Sequence, residues 1–212
     1  NVDAREQNCP PPEEYPKGEG ADAAPAPAGG SAWDAAWFFT MTHEVSPFWT
    51  KDYPNDPEVR DGLIETAAQR KKCGFVTIPG DTGGATKFGV AQNANPSVRV
   101  STLKYAEAQN IGYNNYWTKG STSPKTVADR GQPKTAIVLF DSTYLQGAGG
   151  AGTVYRNSGI TASTPDDEAM NKLCDAREQF FRDLIAKNPA RKKFEKGWMR
   201  RIAECRSYAK SY

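Results

Sequence analysis

The sequence has few of the residues from which metal and nucleotide sites are usually built. His43 is its only histidine, and no two of its four cysteines have C-x-x-C spacing, which argues against a zinc site and against enzymes that need two histidine ligands. Neither G-x-S-x-G nor G-K-[ST] occurs. The glycines of 147–152 fit G-x-G-x-x-G, but they lack the preceding strand and the later acid of a dinucleotide fold. The sequence therefore predicts neither a metal nor a cofactor.

Long apolar runs are also missing. The run 136–140 is only five residues long, far short of the roughly 18 residues that a membrane-spanning helix needs, so we expect no membrane span. Aromatic residues are plentiful by contrast, with five Trp, nine Tyr and nine Phe set among polar residues. This mixture is typical of a soluble domain with an aromatic-lined groove.

The net charge of +2 conceals a strongly uneven distribution. Residues 1–70 contain 13 acids and 5 bases, whereas residues 170–212 contain 12 bases and 5 acids. A basic C-terminal face favours an anionic partner such as a bacterial cell wall or a nucleic acid. The alternative is an ordinary solvated helix face.

The first structured element is predicted shortly after residue 30. Residues 1–30 are rich in Pro, Gly, Ala and acids, which indicates an extended tail outside the core. Ser31 followed by Asp34 is a capping pattern, and it predicts a helix over 32–44.

The middle of the chain alternates irregular and helical segments. Residues 45–80 are rich in Pro and Asp and are predicted to form a loop-like insertion with one short helix over 61–72. A second main helix is predicted from a cap at Ser101 or Thr102 to Trp117. Its shared face comprises Leu103, Ala106, Asn110, Tyr113 and Trp117.

Three more helices are predicted toward the C-terminus. Pro133 opens the first, which ends in the glycine run 147–152. Thr164 opens the second, which stops near Lys187. A cap at Asn188 and Pro189 opens the third, which has Phe194, Trp198, Ile202 and Cys205 in register. The sequence thus predicts a mainly α fold.

The last two helices bring two cysteines to the same level. Folding them as an antiparallel pair about Pro189 places Cys174, 15 residues before the turn, beside Cys205, 16 residues after it. We predict a contact there, either a disulfide or two buried thiols on a shared core seam. Cys9 and Cys73 would then be the remaining candidate pair.

Glu44 is the candidate general acid. Periodicity places it on the stripe of Trp33 and Trp37, where burial against indole rings would raise the pKa of its carboxyl group. Cleaving a glycosidic bond needs such an acid and a second polar group that holds water or stabilises the cationic sugar. Asp81 fits the second role, and Thr86 fits the orientation of the same water. The alternatives are a helix-end acid and an ordinary Asp-Gly turn.

Five motifs, in order, resemble those of the glycoside hydrolase family 108 muramidases, found mainly in phages and prophages. They are His43-Glu44 at a helix end, the segment D-T-G-G-A-T-K-F-G over 81–89, Asn115-Tyr116-Trp117, Phe140-Asp141-Ser142 with Leu145-Gln146, and Gly197-Trp198-Met199-Arg200-Arg201. The likeness covers roughly residues 34–206. The sequence departs from the family pattern in two ways: Val45-Ser46-Pro47 stand where the family has two glycines after the glutamate, and 36 residues separate Glu44 from Asp81, where the family has a short gap.

The resemblance implies a lysozyme-like helical fold with a small, irregular and β-poor cleft region. It implies a tail over 1–30, a catalytic lobe over 31–120 with its insertion at 45–80, and a peptidoglycan-binding-like helical region over 121–212. Glu44, Asp81 and Thr86 match the catalytic positions. The substrate-binding candidates are His43, Gly83, Gly84, Tyr113, Tyr116 and Trp117, of which the three aromatic residues are alternatively core.

The function expected is that of a bacteriophage N-acetylmuramidase, which cleaves the bond from N-acetylmuramic acid to N-acetylglucosamine. Its expected partners are bacterial peptidoglycan and other virion proteins of the tail or baseplate, with no nucleic acid. Its expected location is the phage virion, associated with the tail, or the host periplasm or cell wall after release. The alternatives are a non-catalytic virion docking protein that retains the fold, and a nucleic-acid-binding protein that uses the basic C-terminal helices.

Overall fold

A computed structural model of the chain describes residues 31–46, 49–77 and 84–212. These residues form two compact units, one of Trp37–Asn115 and one that combines the described residues up to Ala36 with Tyr116–Tyr212. Helices dominate both, and the described strands form one two-stranded sheet. The predicted mainly α, lysozyme-like fold class is confirmed. The tail predicted for 1–30, with Cys9, lies outside the described residues.

Helix α1 spans Ala32–Glu44, as predicted. Its first turn is closed by a reciprocal cap, because the Asp34 amide donates to Ser31 Oγ at 3.2 Å while Ser31 N donates to the Asp34 carboxylate at 3.1 Å. Each bond satisfies a backbone N–H that the helix itself leaves unpaired. The start of α1 is thus fixed by two residues three positions apart.

Short helices occupy the insertion. They are a 3₁₀ turn at Tyr53–Asn55, α2 at Pro57–Arg60 and α3 at Ala67–Lys72. The helix predicted over 61–72 begins six residues later than predicted, because Thr66 and Gln69 form a capping box at its start. Gln69 N donates to Thr66 Oγ1 at 3.1 Å, and Thr66 N donates to Gln69 Oε1 at 3.0 Å. Capping chemistry, and not apolar periodicity, sets this boundary.

A hairpin follows the insertion. Strands β1 (Thr86–Lys87) and β2 (Val90–Ala91) pair antiparallel, with Thr86 opposite Ala91 and Lys87 opposite Val90. The two turn residues, Phe88 and Gly89, have φ of 50° and 72°, the left-handed pair that a type I′ hairpin requires. Phe88 is fully buried, and its amide donates to Cys73 O at 2.9 Å.

The second main helix starts later than predicted. A 3₁₀ turn covers Val100–Thr102, α4 spans Tyr105–Gly112, and a π-helical turn covers Tyr113–Trp117. Glu107 provides the cap by accepting from Lys104 N at 2.8 Å, so the predicted cap at Ser101 or Thr102 is wrong. The predicted shared face is also wrong, since Ala106 and Asn110 are exposed whereas Tyr105, Ala108 and Gly112 are buried.

Four helices and a 3₁₀ turn make up the region after Trp117. They are α5 (Pro124–Asp129), α6 (Pro133–Asn157), α7 (Asp166–Lys187), the turn Pro189–Phe194 and α8 (Glu195–Ser211). Helix α5 was not predicted. Helix α6 is broken at Gly147, whose φ of 74° and ψ of 163° are not helical. The segment that Pro133 opens therefore ends at the start of the glycine run, as predicted, and a second helical segment continues to Asn157.

An ion-paired triad lies in the core of this helical unit. Asp141 of α6 accepts from Arg177 Nη2 of α7 at 2.7 Å and from Arg201 Nη2 of α8 at 2.8 Å, and all three side chains are buried. Burial lowers the pKa of the Arg177 guanidinium, but the charge and hydrogen bond of Asp141, together with the nearby thiols of Cys205 and Cys174, more than offset this, so its pKa lies above the usual value. The triad therefore joins three helices by charge.

The described cysteines are buried free thiols. The predicted disulfide between Cys174 and Cys205 is therefore absent from the structure, and the other interpretation, two thiols on a core seam, describes them. Burial raises the pKa of both, to about 11 for Cys174, and the nearby Cys174 thiol adds to the rise at Cys205. Cys73 is also a free thiol, and its predicted partner Cys9 lies outside the described residues.

Candidate active site

Glu44 and His43 end helix α1, and both side chains are half-buried. The imidazole stacks on Phe39 with ring centroids 4.3 Å apart. Its Nδ1 lies 3.1 Å from the carbonyl oxygen of Phe39 and 3.0 Å from Thr42 Oγ1. These contacts fix the ring of His43 against its own helix, so this histidine supports the helix end that carries Glu44.

Trp33 and Trp37, the indole rings predicted to lie on the stripe of Glu44, also contact other rings. Trp37 lies seven residues earlier, or about 10 Å along the axis, and helical side chains lean toward the N-terminus. Its indole N–H donates to the Tyr105 hydroxyl at 2.8 Å. Trp33 lies earlier still and packs on Trp117 and Phe140. The burial of Glu44 against these rings stays a prediction.

The backbone at Gly74 packs against the end of α1 that carries Glu44. Gly74 has a φ of 58°, and a Cβ at this position would lie 3.1 Å from Val45 Cα and 3.4 Å from the carbonyl oxygen of Glu44. A larger residue would therefore be strained and would press on the helix end. Glycine is required here by backbone conformation and by space.

Thr86 is connected to the same place through the next residues of the chain. Val76, two residues after Gly74, forms an antiparallel bridge with Thr86 through amide-to-carbonyl bonds of 3.0 and 2.9 Å. One short segment thus contacts the Glu44 end of α1 at Gly74 and pairs with the Thr86 strand at Val76. The structure brings the surroundings of two predicted catalytic residues together, 42 positions apart in sequence.

Lys87 anchors this hairpin, a role that the sequence analysis missed. Its side chain is fully buried, and Nζ donates to the carbonyl oxygens of Gly62 at 2.6 Å and Ser101 at 3.0 Å. Burial lowers the pKa of the ammonium group. The alternation of a two-residue strand was the available signal, because Thr86 and Lys87 must point to opposite faces.

Gly84 approaches a neighbouring segment closely. Its φ is 70°, and an added Cβ would lie 3.2 Å from both Asn93 Oδ1 and Gln92 Cβ. The predicted catalytic residue Asp81 and the predicted substrate-binding residue Gly83 lie outside the described residues.

The three aromatic candidates have different surroundings. Trp117 is 3% exposed and packs on Trp33 and Phe140. It is therefore a core residue, which is the alternative that the sequence left open. Tyr116 is half-buried on the ring of Tyr144, with centroids 4.9 Å apart. Tyr113 is also half-buried. The two tyrosines therefore keep partly accessible rings.

Two family models match the chain one after the other. The glycosyl hydrolase 108 model matches residues 67–147, and the model of a predicted peptidoglycan domain matches residues 145–203. The chain contains a glycosyl hydrolase 108 region. It is a glycoside hydrolase, and the two regions together identify a peptidoglycan hydrolase. No curated protein and no solved structure gave a significant match.

The glycosyl hydrolase 108 match includes Thr86 but begins after His43-Glu44. The role of Glu44 as a site residue therefore stays a prediction from the motif order. Among the described residues, no group of three or more His, Cys, Asp or Glu is arranged to hold a metal ion. No helix in the same ranges is long and apolar enough to cross a membrane.

Two of the sequence motifs have structural roles, one within the glycosyl hydrolase 108 match and one within the peptidoglycan-domain match. Asp141, from the Phe-Asp motif, pairs with Arg201, the arginine that closes G-W-x-x-R. Trp198 of the latter motif stacks on Phe181 with centroids 4.5 Å apart, and Ser142 donates to Gln146 within one helix. These residues hold helices together, so they mark the fold and not the reaction.

Proposed function

We propose that this glycosyl hydrolase 108 protein is an N-acetylmuramidase that cleaves the bond from N-acetylmuramic acid to N-acetylglucosamine, with Glu44 as general acid. The observation that carries the proposal is the half-buried carboxylate at the end of α1, beside the segment that pairs with Thr86. A partly desolvated acid next to a turn that can approach a sugar chain meets the first need of glycosidic cleavage.

In the proposed reaction, Glu44 gives its proton to the leaving glycosidic oxygen. Asp81 holds the attacking water and takes its proton as the oxygen bonds to the anomeric carbon, and Thr86 orients the same water. If Asp81 acts in this way, the anomeric centre is inverted, which requires the two carboxyl groups to lie about 6.5–9.5 Å apart; a separation near 5 Å belongs to retention. The anomer of the first product, read by NMR, distinguishes these two outcomes.

Replacing Glu44 with glutamine tests the proposal. The amide keeps the shape of the side chain but cannot donate a proton as an acid, so release of reducing ends from purified cell walls should fall by about 10²- to 10⁴-fold. The matched control is Glu65→Gln, an exposed acid of the same unit, which should retain wild-type release. Wall hydrolysis unchanged in Glu44→Gln would remove Glu44 from the mechanism and place the acid elsewhere.

We also propose a bacteriophage origin, with the protein carried on the tail of the virion or released to the host periplasm or cell wall. The support is the motif order, which resembles a family found mainly in phages and prophages. Mass spectrometry of purified virions tests the particle-borne form. If the protein is present in virions but releases no reducing ends from cell walls, a non-catalytic docking component is favoured instead.

A further inference from the structure

Positive charge is concentrated where α7 turns back into α8. Residues 184–200 contain six bases and one acid. We call the group formed by Lys187, Arg191, Lys192, Lys193 and Lys196 the basic tip. The acid, Glu195, pairs with Lys192 at 2.6 Å. A net positive charge therefore remains on this short stretch of surface.

Three lysines of the basic tip stand exposed without a counter-charge. Lys187, Lys193 and Lys196 form no ion pair within 31–46, 49–77 and 84–212, the ranges that the structure describes. Lys193 instead lies over the ring of Phe194, with Nζ 5.0 Å from the centroid. Cations left uncompensated at a surface attract anions from solution.

The opposite end of α7 has the opposite arrangement. Its first turn carries Asp166, Asp167 and Glu168, and each is bonded to another residue of the chain. Asp166 accepts from the amides of Lys134 and Thr135 at 2.9 and 3.0 Å, while Asp167 pairs with Lys134 and Glu168 with Lys172. The acidic end is therefore used in folding, whereas the basic end remains available for binding.

Aromatic rings lie directly beside the basic tip. Trp198 stacks between Phe181, at 4.5 Å, and Phe194, at 5.5 Å, and both Trp198 and Phe194 are half-buried. Lysines next to partly exposed rings can bind a carboxylate while a ring packs on the apolar face of an attached sugar. Nucleic acid shares the negative charge, but the basic tip lies within the predicted peptidoglycan domain.

We propose that the basic tip binds the carboxylate-bearing stem peptides of peptidoglycan, and so holds the enzyme on intact, cross-linked wall. This rests on the proposed function and assigns the contact surface of its C-terminal region. The bond is electrostatic, so it should weaken as salt rises.

The test measures co-sedimentation of the full chain with acid-stripped sacculi, which lack attached anionic polymers, in a brief incubation on ice. The variant Lys187→Gln/Lys193→Gln/Lys196→Gln should bind about tenfold more weakly. The control Lys119→Gln/Lys172→Gln/Lys210→Gln changes the same charge on exposed lysines elsewhere in the same unit and should bind within twofold of wild type. Equal loss in both variants, or loss in neither, overturns the proposal.

Two further measurements identify the ligand. Sacculi whose carboxylates have been converted to neutral amides should bind the wild type as weakly as untreated sacculi bind the tip variant, and undiminished binding overturns the stem-peptide assignment. Duplex DNA should bind more weakly than sacculi at the same salt; DNA binding as tight as sacculus binding favours nucleic acid instead. Glu44→Gln should bind sacculi normally but release reducing ends about 10²- to 10⁴-fold more slowly, so failure of the catalytic proposal is seen separately from failure of the tip proposal.

Discussion

The two units hold buried positive charge in different ways. In the Trp37–Asn115 unit, the ammonium of Lys87 is bound by two neutral carbonyl oxygens. In the helical unit, Arg177 and Arg201 share the carboxylate of Asp141. The first arrangement ties loops to a hairpin through backbone atoms, and the second ties helices together through side chains. The site near Glu44 thus depends on backbone geometry, whereas the helical unit depends on charge.

The largest effect is expected from Asp141→Asn. The change leaves two buried guanidinium groups without a counter-charge, which should lower the free energy of unfolding by about 3–5 kcal/mol. Urea denaturation measures it. Asp129→Asn is the control, since Asp129 pairs with Lys125 at the surface and should cost less than about 1 kcal/mol. A loss as small as that of the control would show that the triad does not hold the helices together.

Lys87→Met should have the next largest effect. Methionine keeps an apolar stem but leaves the carbonyl oxygens of Gly62 and Ser101 without their donor, which should cost about 1–3 kcal/mol. Because these bonds hold the hairpin that carries Thr86, wall hydrolysis should fall as well. Lys51→Met, at an exposed lysine of the same unit, is the control. Full stability in Lys87→Met would mean that the buried ammonium contributes nothing beyond its stem.

Alkaline pH should weaken the unit through Cys73. Burial raises the pKa of this thiol from 9.0 to about 11, so the unfolded chain loses the proton first. The stability due to the neutral thiol is present below pH 9 and is lost as pH rises from 9 to 11, by about 3 kcal/mol at most. The difference in unfolding free energy between wild type and Cys73→Ala, measured at pH 8 and pH 10.5, should shrink accordingly. A constant difference would contradict the burial of the thiol.

The smallest stability effect, but a specific one, is expected from Gly74→Ala. Both Gly74 and Gly159 have a left-handed backbone, with φ of 58° and 67°, but a Cβ at Gly159 meets open space. Each alanine should cost about 1 kcal/mol in backbone strain. Only Gly74→Ala should also reduce the release of reducing ends, because its methyl group presses on Val45 and Glu44. Equal activity in the two variants would separate Gly74 from the site.

Sequence reasoning succeeded where the cause of structure is local. The start of α1 depends on Ser31 and Asp34, three residues apart, and was predicted correctly. The buried face of α4 was predicted wrongly. The π-helical turn at Tyr113–Trp117 has more residues per turn than an α-helix, so the 100° repeat does not carry the buried face of α4 through to Trp117. Counting residues along the antiparallel helix pair predicted that Cys174 and Cys205 lie side by side. It could not predict whether the two thiols form a disulfide.

Contacts between distant residues explain the rest. Asp141 and Arg201 are 60 positions apart, and no periodicity relates them. Their motifs could therefore be recognised in the sequence, but the ion pair between them could not be predicted. Lys87 was overlooked because its carbonyl partners are backbone atoms of residues with no motif. Glu44 was placed at a helix end correctly, but its expected indole neighbours face other rings. The position of a residue on a helical stripe predicts the direction in which its side chain points. The residues that it contacts come from other parts of the chain and are not predicted by the stripe.

The bend at Gly147 has a consequence for how this protein was assembled and how it can be divided. The two family matches meet at residues 145–147, where α6 breaks at Gly147 between two helical segments that follow each other directly, and Gln146 and Gly147 are buried. A chain cut there would expose the interior of both pieces, since no linker separates them. Module exchange should therefore succeed only with α6 transferred whole, and the two halves should be inherited together.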